Sequence, residues 1–205
     1  MEGEKSMSQV YKELWNQVQR PGVDKFLAWL ETTDFYTAPC STKYHLSRPG
    51  GLVEHSINVY AALWSQCAVM AEAGKIDRIP AESIVICALG HDICKADFYG
   101  QEMRNVKENG KWEQRPYYTV KDNLPYGHGE KSVLLLQRWM KLRVEEVLAV
   151  RWHMGGFTPG SSDYSIVSAF SEAAKIHPLI ILLHMADLEA TYIKESKEDK
   201  HGEDS

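Results

Sequence analysis

Apolar residues recur at helical spacing along most of the chain, and they do so over the greatest length in residues 52–73. Such a period places them on one face of a helix, and that face must pack against other helices. Gly74 follows this segment and Pro80 precedes the next one, as expected at the end of one helix and the start of another. The pattern therefore predicts a mainly α-helical domain.

Shorter segments with the same spacing predict the remaining helices. They cover about 8–19, 23–31, 81–97, 129–140, 144–152, 164–175 and 178–195. Ser8 is the expected N-cap of the first helix. Residues 101–122 differ, because an Asn109-Gly110 pair separates two segments that contain Val106, Trp112 and Val120. Asn-Gly is a strong signal for a two-residue turn, so we expect a β-hairpin here.

The expected organisation is an all-α fold, in the main, with a small β-hairpin insertion. Helices within 1–47 pack on a main domain of residues 48–195, and the hairpin at about 101–122 is inserted in that domain. Residues 196–205 are a run of charged residues and are expected to be disordered.

Composition excludes several classes of protein. A net charge of −5 does not favour binding of long nucleic acid. The four cysteines lack the spacing of a zinc ribbon or a disulfide framework; they are Cys40, Cys67, Cys87 and Cys94. The first residues lack an apolar signal core, and the longest apolar run, 179–183, is too short to cross a bilayer. We therefore expect a cytoplasmic protein with no membrane partner.

The stretch ICALGHDICKADF contains the most informative polar residues. His91 and Asp92 are adjacent, and Lys95 follows one helical turn after His91. Neighbours on a helix point about 100° apart, so a metal ion beyond the helix surface is one object that both can reach. A buried ammonium needs an anion, and a bound phosphate would suit it. The alternative is a helix end that becomes polar where it reaches solvent.

Other histidines and one aspartate lie near apolar helical faces. They are His55, His128, His153 and Asp187. Taken singly, such a histidine is more often a hydrogen-bonded core residue than a ligand. His184 shares a helix face with Asp187, and it either orients that carboxylate or only packs. His45, His177 and His201 are expected to be ordinary.

The order of these residues resembles that of the HD-domain superfamily of metal-dependent phosphohydrolases. HDICK is similar to the H-D-x-x-K segment of the family, GGLVEHS to the helix with its first histidine, and MADLEAT to the helix with its last aspartate. His128 and His153 stand where two-metal members have two further histidines. The resemblance spans about residues 48–191 and implies a helical bundle.

The resemblance also implies which residues bind metal. His55, His91, Asp92 and Asp187 would bind one ion, and Asp92 would bridge to a second. His128 and His153 would complete that second site. Imidazole and carboxylate donors suit divalent transition metals, and iron, manganese, zinc and nickel are not distinguished. Cys94 stands where the family most often has glycine, and the hairpin is not found in all members.

Two such ions can share a hydroxide as nucleophile and hold phosphate oxygens. Asp92 and Lys95 are then the catalytic candidates, with Lys95 also holding a phosphate oxygen. Further candidates for substrate binding are Arg48, at a helix start, and Lys131, near His128. The hairpin interleaves cations with aromatic residues and adds Arg104, Arg115 and Tyr117. Alternatively, its aromatic residues only attach the hairpin to the domain.

The expected function is hydrolysis of a phosphate ester or anhydride in a small phosphorylated substrate, with a nucleotide preferred. The alternatives are an exoribonuclease or phosphodiesterase acting on short nucleic acid, a di-iron oxygenase, and a binding module without catalysis. The last would have degenerate ligands, whereas all six are present. The sequence does not determine the oligomeric state.

Overall fold

The structure is a computed structural model that describes residues 5–108, 110–158 and 163–196. Within these ranges the fold is mainly α-helical, as predicted, with one two-stranded antiparallel sheet. The helices are α1 (Met7–Trp15), α2 (Val23–Leu30), α3 (Gly51–Glu72), α4 (Ala81–Gly90), α5 (His128–Gln137), α6 (Val144–Trp152), α7 (Tyr164–Ile176) and α8 (Leu179–Glu189). The strands are β1 (Tyr99–Glu108) and β2 (Lys111–Val120). Of the predicted tail, all but Ser196 lies outside the described residues.

Helix α3 lies at the centre of the bundle. It packs against α4 and α8, and α8 also packs against α6. Helix α1 is joined to α4 by a buried hydrogen bond of 2.9 Å from the Tyr11 hydroxyl to the carbonyl of Leu89. The large side chains that these contacts bury completely include Tyr11, Trp15, Phe26, Leu52, Leu63, Ile86, Leu89 and Leu179. Burial of this apolar surface is the main favourable term in folding.

The N-cap of helix α1 lies two residues before the predicted one, Ser8. The backbone N–H of Gln9 donates to the Ser6 hydroxyl at 3.3 Å, and the Ser6 N–H donates to the Gln9 side chain at 2.9 Å. This reciprocal pair is a capping box, which satisfies two N–H groups at once. Ser6 is therefore the N-cap, and the choice of Ser8 was wrong.

A buried ion pair ties the segment after α1 to α4 and α6. Both oxygens of Glu146, which is fully buried, accept hydrogen bonds of 2.6 Å from Arg20. The hydroxyl of Ser83 donates to Glu146 at 2.6 Å. The carboxylate on α6 thus has partners on two other parts of the chain, and a buried charge requires such partners.

Helix α4 ends at Gly90 and not at the predicted residue 97. Gly90 packs so closely on α5 that a Cβ there would lie 2.9 Å from a methyl carbon of Leu136. His91 and Asp92 follow the helix, and a 3₁₀ turn, Ile93–Lys95, comes next. The adjacent pair therefore lies in a turn, and both side chains are buried.

The predicted hairpin is confirmed, with strands that pair from Tyr99 opposite Val120 to Glu108 opposite Lys111. Gly110 has a φ of +81°, which favours glycine, while Asn109 lies outside the described residues. Most of the hairpin is exposed and contacts chiefly itself. It is an arm that extends from the helical domain.

The last predicted helix, 178–195, is interrupted near its end. After α8 the chain forms a π-helical turn, Ala190–Lys194, and the N–H of Glu195 donates to the carbonyl of Ala190 at 3.0 Å. Glu195 is buried. Within the described ranges no single helix is long and apolar enough to cross a membrane, although α7 and the segment Leu179–Lys194 pass that test together as a pair bent by 110°.

Candidate metal centre

Side chains from three separate helical regions meet in the interior of the bundle. His55 on α3 has its Nε2 atom 3.2 Å from Oδ1 of Asp187 on α8. The same Nε2 lies 3.3 Å from Nε2 of His91, at the end of α4. Nε2 of His91 lies 3.5 Å from Oδ2 of the neighbouring Asp92. Four residues from three distant parts of the sequence thus direct ligand atoms at one another.

Asp92 connects this group to a second one. Its other oxygen, Oδ1, lies 2.6 Å from Nε2 of His128, the first residue of α5. Nε2 of His153, just after α6, lies 3.5 Å from the same oxygen. The structure therefore brings all six predicted ligands together, with the Asp92 carboxylate between the two groups.

Hydrogen bonds to the main chain determine which nitrogen the histidines present. Nδ1 of His91 lies 2.7 Å from the carbonyl of Ala88, and Nδ1 of His153 lies 2.7 Å from the carbonyl of Val150. A carbonyl oxygen can only accept, so each Nδ1 carries the hydrogen. Each neutral ring then presents an Nε2 lone pair to the centre, as a metal ligand must.

His153 gives the clearest test of whether the site fits a cation. Its Nε2 atom is buried and has no hydrogen-bond partner among the described residues. The atom that it faces is a carboxylate oxygen of Asp92, which is also an acceptor. Two buried acceptors that face each other are unfavourable unless a cation lies between them. The residues present therefore fit a metal ion.

Three groups of buried ligand atoms in the described chain are compact enough to hold an ion in this region. In each group the atoms lie within 4.8 Å of one another. The groups are His55 with His91 and Asp92, His91 with His153 and Asp187, and Asp92 with Cys94 and His128. Their nitrogen, oxygen and sulfur donors suit transition metals better than calcium or magnesium.

His91, Asp92 and Asp187 already have the protonation state that metal binding requires. Burial lowers the pKa of His91 to about 4, against the opposing charge of Asp92. Burial acts to raise the pKa of both aspartates, but Lys95 at Asp92 and His55 at Asp187 hold each pKa well below its usual value. The imidazole of His91 is thus neutral and both carboxylates are charged near neutral pH.

His55 and His128 differ from His91 in their protonation. Burial acts to lower the pKa of His55, but Cys40, Asp187 and Glu195 raise this pKa well above its usual value. Burial likewise acts to lower the pKa of His128, but the neighbouring Cys94 and Asp92 raise it to about 10. The sulfur of Cys94 lies 3.5 Å from Nδ1 of His128. In the absence of metal this ring is a cation paired with Asp92, so it must lose a proton before it can become a ligand.

Lys95 is the cation beside the centre. Its Nζ lies 2.7 Å from Oδ2 of Asp92 and 3.7 Å from the sulfur of Cys40. Burial lowers the pKa of Lys95, but Asp92 and Cys40 more than offset this and raise that pKa well above its usual value. The side chain is therefore a half-buried, charged ammonium at the edge of the centre.

Glu195 is a site residue that the sequence reading missed. Its Oε1 accepts a hydrogen bond of 3.0 Å from Nδ1 of His55 and another of 3.0 Å from the amide of Asn58. The carboxylate orients the His55 ring so that Nε2 faces the centre. The charged sequence KESKED gave no signal of this role, because it predicts a solvated tail.

The centre opens into a cavity of about 440 Å³. The part of the wall next to the centre includes His55, Asp92, Lys95, His128, His184 and Asp187. Aromatic residues supply much of the remaining wall, among them Tyr44, Phe98, Tyr99, Phe157 and Tyr192. Lys95 is the cationic side chain among the described lining residues, apart from the histidines.

Four of the predicted substrate contacts have partners outside this cavity wall. Arg48 pairs with Glu54 at 2.8 Å. On the hairpin, Arg115 pairs with Glu108, Arg104 lies over the Tyr117 ring, and the Tyr117 hydroxyl donates to Glu102. The structure does not bring Arg48, Arg104, Arg115 or Tyr117 to the cavity, so their role in substrate binding stays a prediction.

Lys131, also predicted to reach substrate, is buried instead. Its Nζ donates to Asp122 at 2.6 Å and lies over the ring of Phe98. It thus attaches the exit of the hairpin to α5. His184 donates from Nδ1 to the carbonyl of His153 at 2.6 Å, so this hydrogen bond supports the second group and not Asp187.

Comparison with family models, curated proteins and solved structures finds no match for this chain. The resemblance to the HD-domain superfamily therefore depends on the residues themselves. Their order along the sequence gives the resemblance, and their convergence in space gives the chemistry of the site.

Proposed function

We propose that the protein is a metal-dependent phosphohydrolase of the HD type, and that it cleaves a phosphate ester or anhydride of a nucleotide or another small phosphorylated substrate. The observation that carries this proposal is the convergence of six candidate ligand side chains, with Asp92 between them, beside an open cavity. A centre of this kind next to a half-buried ammonium suits a phosphate group.

Two divalent ions are proposed because Asp92 faces two ligand groups with different oxygens. Oδ2 lies 3.5 Å from His91, and Oδ1 lies 2.6 Å from His128 and 3.5 Å from His153. The ions, when bound, would supply an activated water and offset negative charge on the phosphate. Iron, manganese, zinc and nickel all suit this donor set.

The protein's own contribution begins with Lys95. Its ammonium lies next to Asp92 and lines the cavity, where it can hold a non-bridging phosphate oxygen. A charge-assisted hydrogen bond of this kind is stronger in a site with little water. Lys95 thereby fixes the orientation of the phosphate relative to the ligand cluster.

The aromatic part of the wall is proposed to receive the leaving group. Tyr44 and Phe157, both exposed, line the cavity with the partly buried Phe98. Flat rings at a cavity mouth suit a nucleobase, which can stack on them. The cavity contains one lysine and no arginine among its described lining residues, which favours a small substrate over a long polyanion.

The test is a screen of product release by protein loaded with each of the four metals. Release of phosphate or polyphosphate from nucleotides and sugar phosphates is expected with at least one metal. His153→Gln should abolish turnover and lower the metal content. His177→Gln is the matched control, because His177 bonds to the N–H of Leu179, away from the cavity, and should leave both unchanged.

The same samples separate the alternatives. Cleavage of a labelled oligonucleotide but of no small phosphate would favour an exoribonuclease or phosphodiesterase. Oxygen consumption by the iron-loaded protein alone would favour an oxygenase. A folded, metal-loaded protein that turns over none of these substrates would refute the proposal.

A further inference from the structure

A separate cluster of metal-ligand atoms lies next to His55, outside the two groups that Asp92 connects. The sulfur of Cys40 lies 3.3 Å from Nε2 of His45, in the irregular segment before α3. Ligand atoms of Cys40, His45 and His55 all lie within 4.8 Å of one another. Oε2 of Glu195 lies 3.8 Å from the same Nε2 of His45. The proposed hydrolase mechanism uses neither Cys40 nor His45.

The separations of His45 from Cys40 and from Glu195 lie close to those between ligands of one tetrahedral ion. Zinc bonds of about 2.3 Å to sulfur and about 2.0–2.1 Å to nitrogen place these two atoms about 3.6 Å apart. The corresponding separation of nitrogen and carboxylate oxygen is about 3.4 Å. The observed 3.3 Å and 3.8 Å differ from these values by only a few tenths of an ångström.

Glu195 can serve this cluster and His55 at the same time. Its Oε1 accepts from Asn58 and from Nδ1 of His55, both at 3.0 Å. Its Oε2 lies 3.8 Å from Nε2 of His45 and 3.2 Å from Nδ1 of His55. Because Nε2 of His55 faces Asp187 and is assigned to the first centre, Glu195 is the candidate for the third ligand here.

Charge and access also suit a divalent ion. A thiolate, a carboxylate and a neutral imidazole together carry two negative charges. Cys40 and Glu195 are buried, and Cys40 and His45 line the same cavity as the first centre, with Ser41 and Thr42 beside them. Solvent can therefore reach a fourth coordination position. Lys95, 3.7 Å from the sulfur, is the cation that an ion would replace as the partner of Cys40.

The geometry points to an additional metal site of the zinc class, formed by Sγ of Cys40, Nε2 of His45 and Oε2 of Glu195. On binding, the thiol proton of Cys40 leaves to solvent and a metal–sulfur bond forms. The fourth position faces the cavity, where it can hold water or an oxygen of the substrate. The ligand roles of Cys40 and His45 do not depend on the proposed hydrolase activity, whereas Glu195 also contacts His55 of that centre.

Cobalt(II) is the probe for this site, because a cobalt–thiolate bond absorbs strongly in the near ultraviolet whereas imidazole and carboxylate ligands do not. Full-length protein loaded with Co²⁺ should show this band. Cys40→Ser should lose the band and about one equivalent of bound metal. His45→Gln keeps the thiol. In this variant a higher Co²⁺ concentration should be needed to develop the band, while the fold is unchanged.

Cys94→Ser is the matched control, because Cys94 is the other thiol close to proposed ligands and belongs to a different group. The band should survive in this variant. If the band disappears with Cys94→Ser and persists with Cys40→Ser, the thiolate ligand is Cys94 in the first centre, and the proposed site is overturned. No band in the folded wild-type protein with excess Co²⁺ would also overturn the site. Circular dichroism of every variant shows whether the fold is retained.

Discussion

The buried carboxylate of Glu195 accepts a hydrogen bond of 3.0 Å from Nδ1 of His55, a residue 140 positions earlier in the chain. This contact orients the first predicted metal ligand and links it to the end of the described chain. Carboxylate partners of this kind typically change metal affinity by about 10–100-fold.

Glu195→Ala should therefore raise the metal concentration needed for half-maximal phosphate release by about 10–100-fold. Glu195→Gln should have a smaller effect, because its amide oxygen can still accept from His55. Asn58→Ala, which removes another partner of the same carboxylate, is the control for local packing. Equal effects of all three variants would mean that the contact is only structural.

Lys95→Met should lower kcat by about 10²–10³-fold, the usual loss when one donor to a developing charge is removed. The methionine side chain keeps much of the apolar stem that packs in the cavity wall. Metal content should stay the same, since Lys95 is not a ligand, and mass spectrometry of the metals measures this directly. A variant that loses metal and activity in parallel would assign Lys95 to the integrity of the centre.

Glu146→Gln should destabilise the protein by about 3–5 kcal/mol at neutral pH, because Arg20 then lacks its buried charged partner. Burial acts to raise the pKa of Glu146, but Arg20 and Ser83 hold it below the usual value of 4.5. A carboxyl group whose pKa is lower in the folded than in the unfolded protein stabilises the fold at any pH above its unfolded-state pKa. This stabilisation is lost as the pH falls through the folded-state pKa.

The difference in stability between wild type and Glu146→Gln should thus be greatest above pH 4.5 and should shrink below it. Urea unfolding of both proteins across this range measures the difference. A constant difference at all pH values would show that shape, and not charge, accounts for the effect.

Lys131→Met should raise KM more than it lowers kcat. The ion pair between Lys131 and Asp122 attaches the base of the hairpin to α5, and Phe98 beneath it lines the cavity. Its loss should disturb the cavity wall while the ligands remain. Arg104→Met is the matched control on the exposed part of the hairpin. If this control raises KM as much, the hairpin cations contact substrate as the sequence reading supposed.

Most of the predictions from the sequence were based on helical periodicity and on the order of the candidate ligands. The mainly helical fold and the hairpin are confirmed, and the six ligand candidates do converge. These features depend on local spacing and on residue type, which a single sequence displays. The end of α4 was misplaced because the cause is a long-range contact, the close approach of Gly90 to Leu136.

Glu195 and His45 could not be found in the same way. Glu195 lies in a charged run that resembles a solvated tail, and the π-helical turn before it has no sequence signal. His45 lacks a neighbouring ligand in the sequence other than Cys40, five residues earlier. Burial and pairing of these side chains arise only when the ends of the domain meet.

The π-helical turn has a consequence for biosynthesis. Because Glu195 and Asp187 enter the centre from the last part of the described chain, a ribosome must complete nearly all of it before His55 acquires both partners. Domains gain structure from the N-terminus during translation, so α3 and α4 are synthesised before these two carboxylates. The ligand set around His55 is therefore complete only after residues 187 and 195 have left the ribosome.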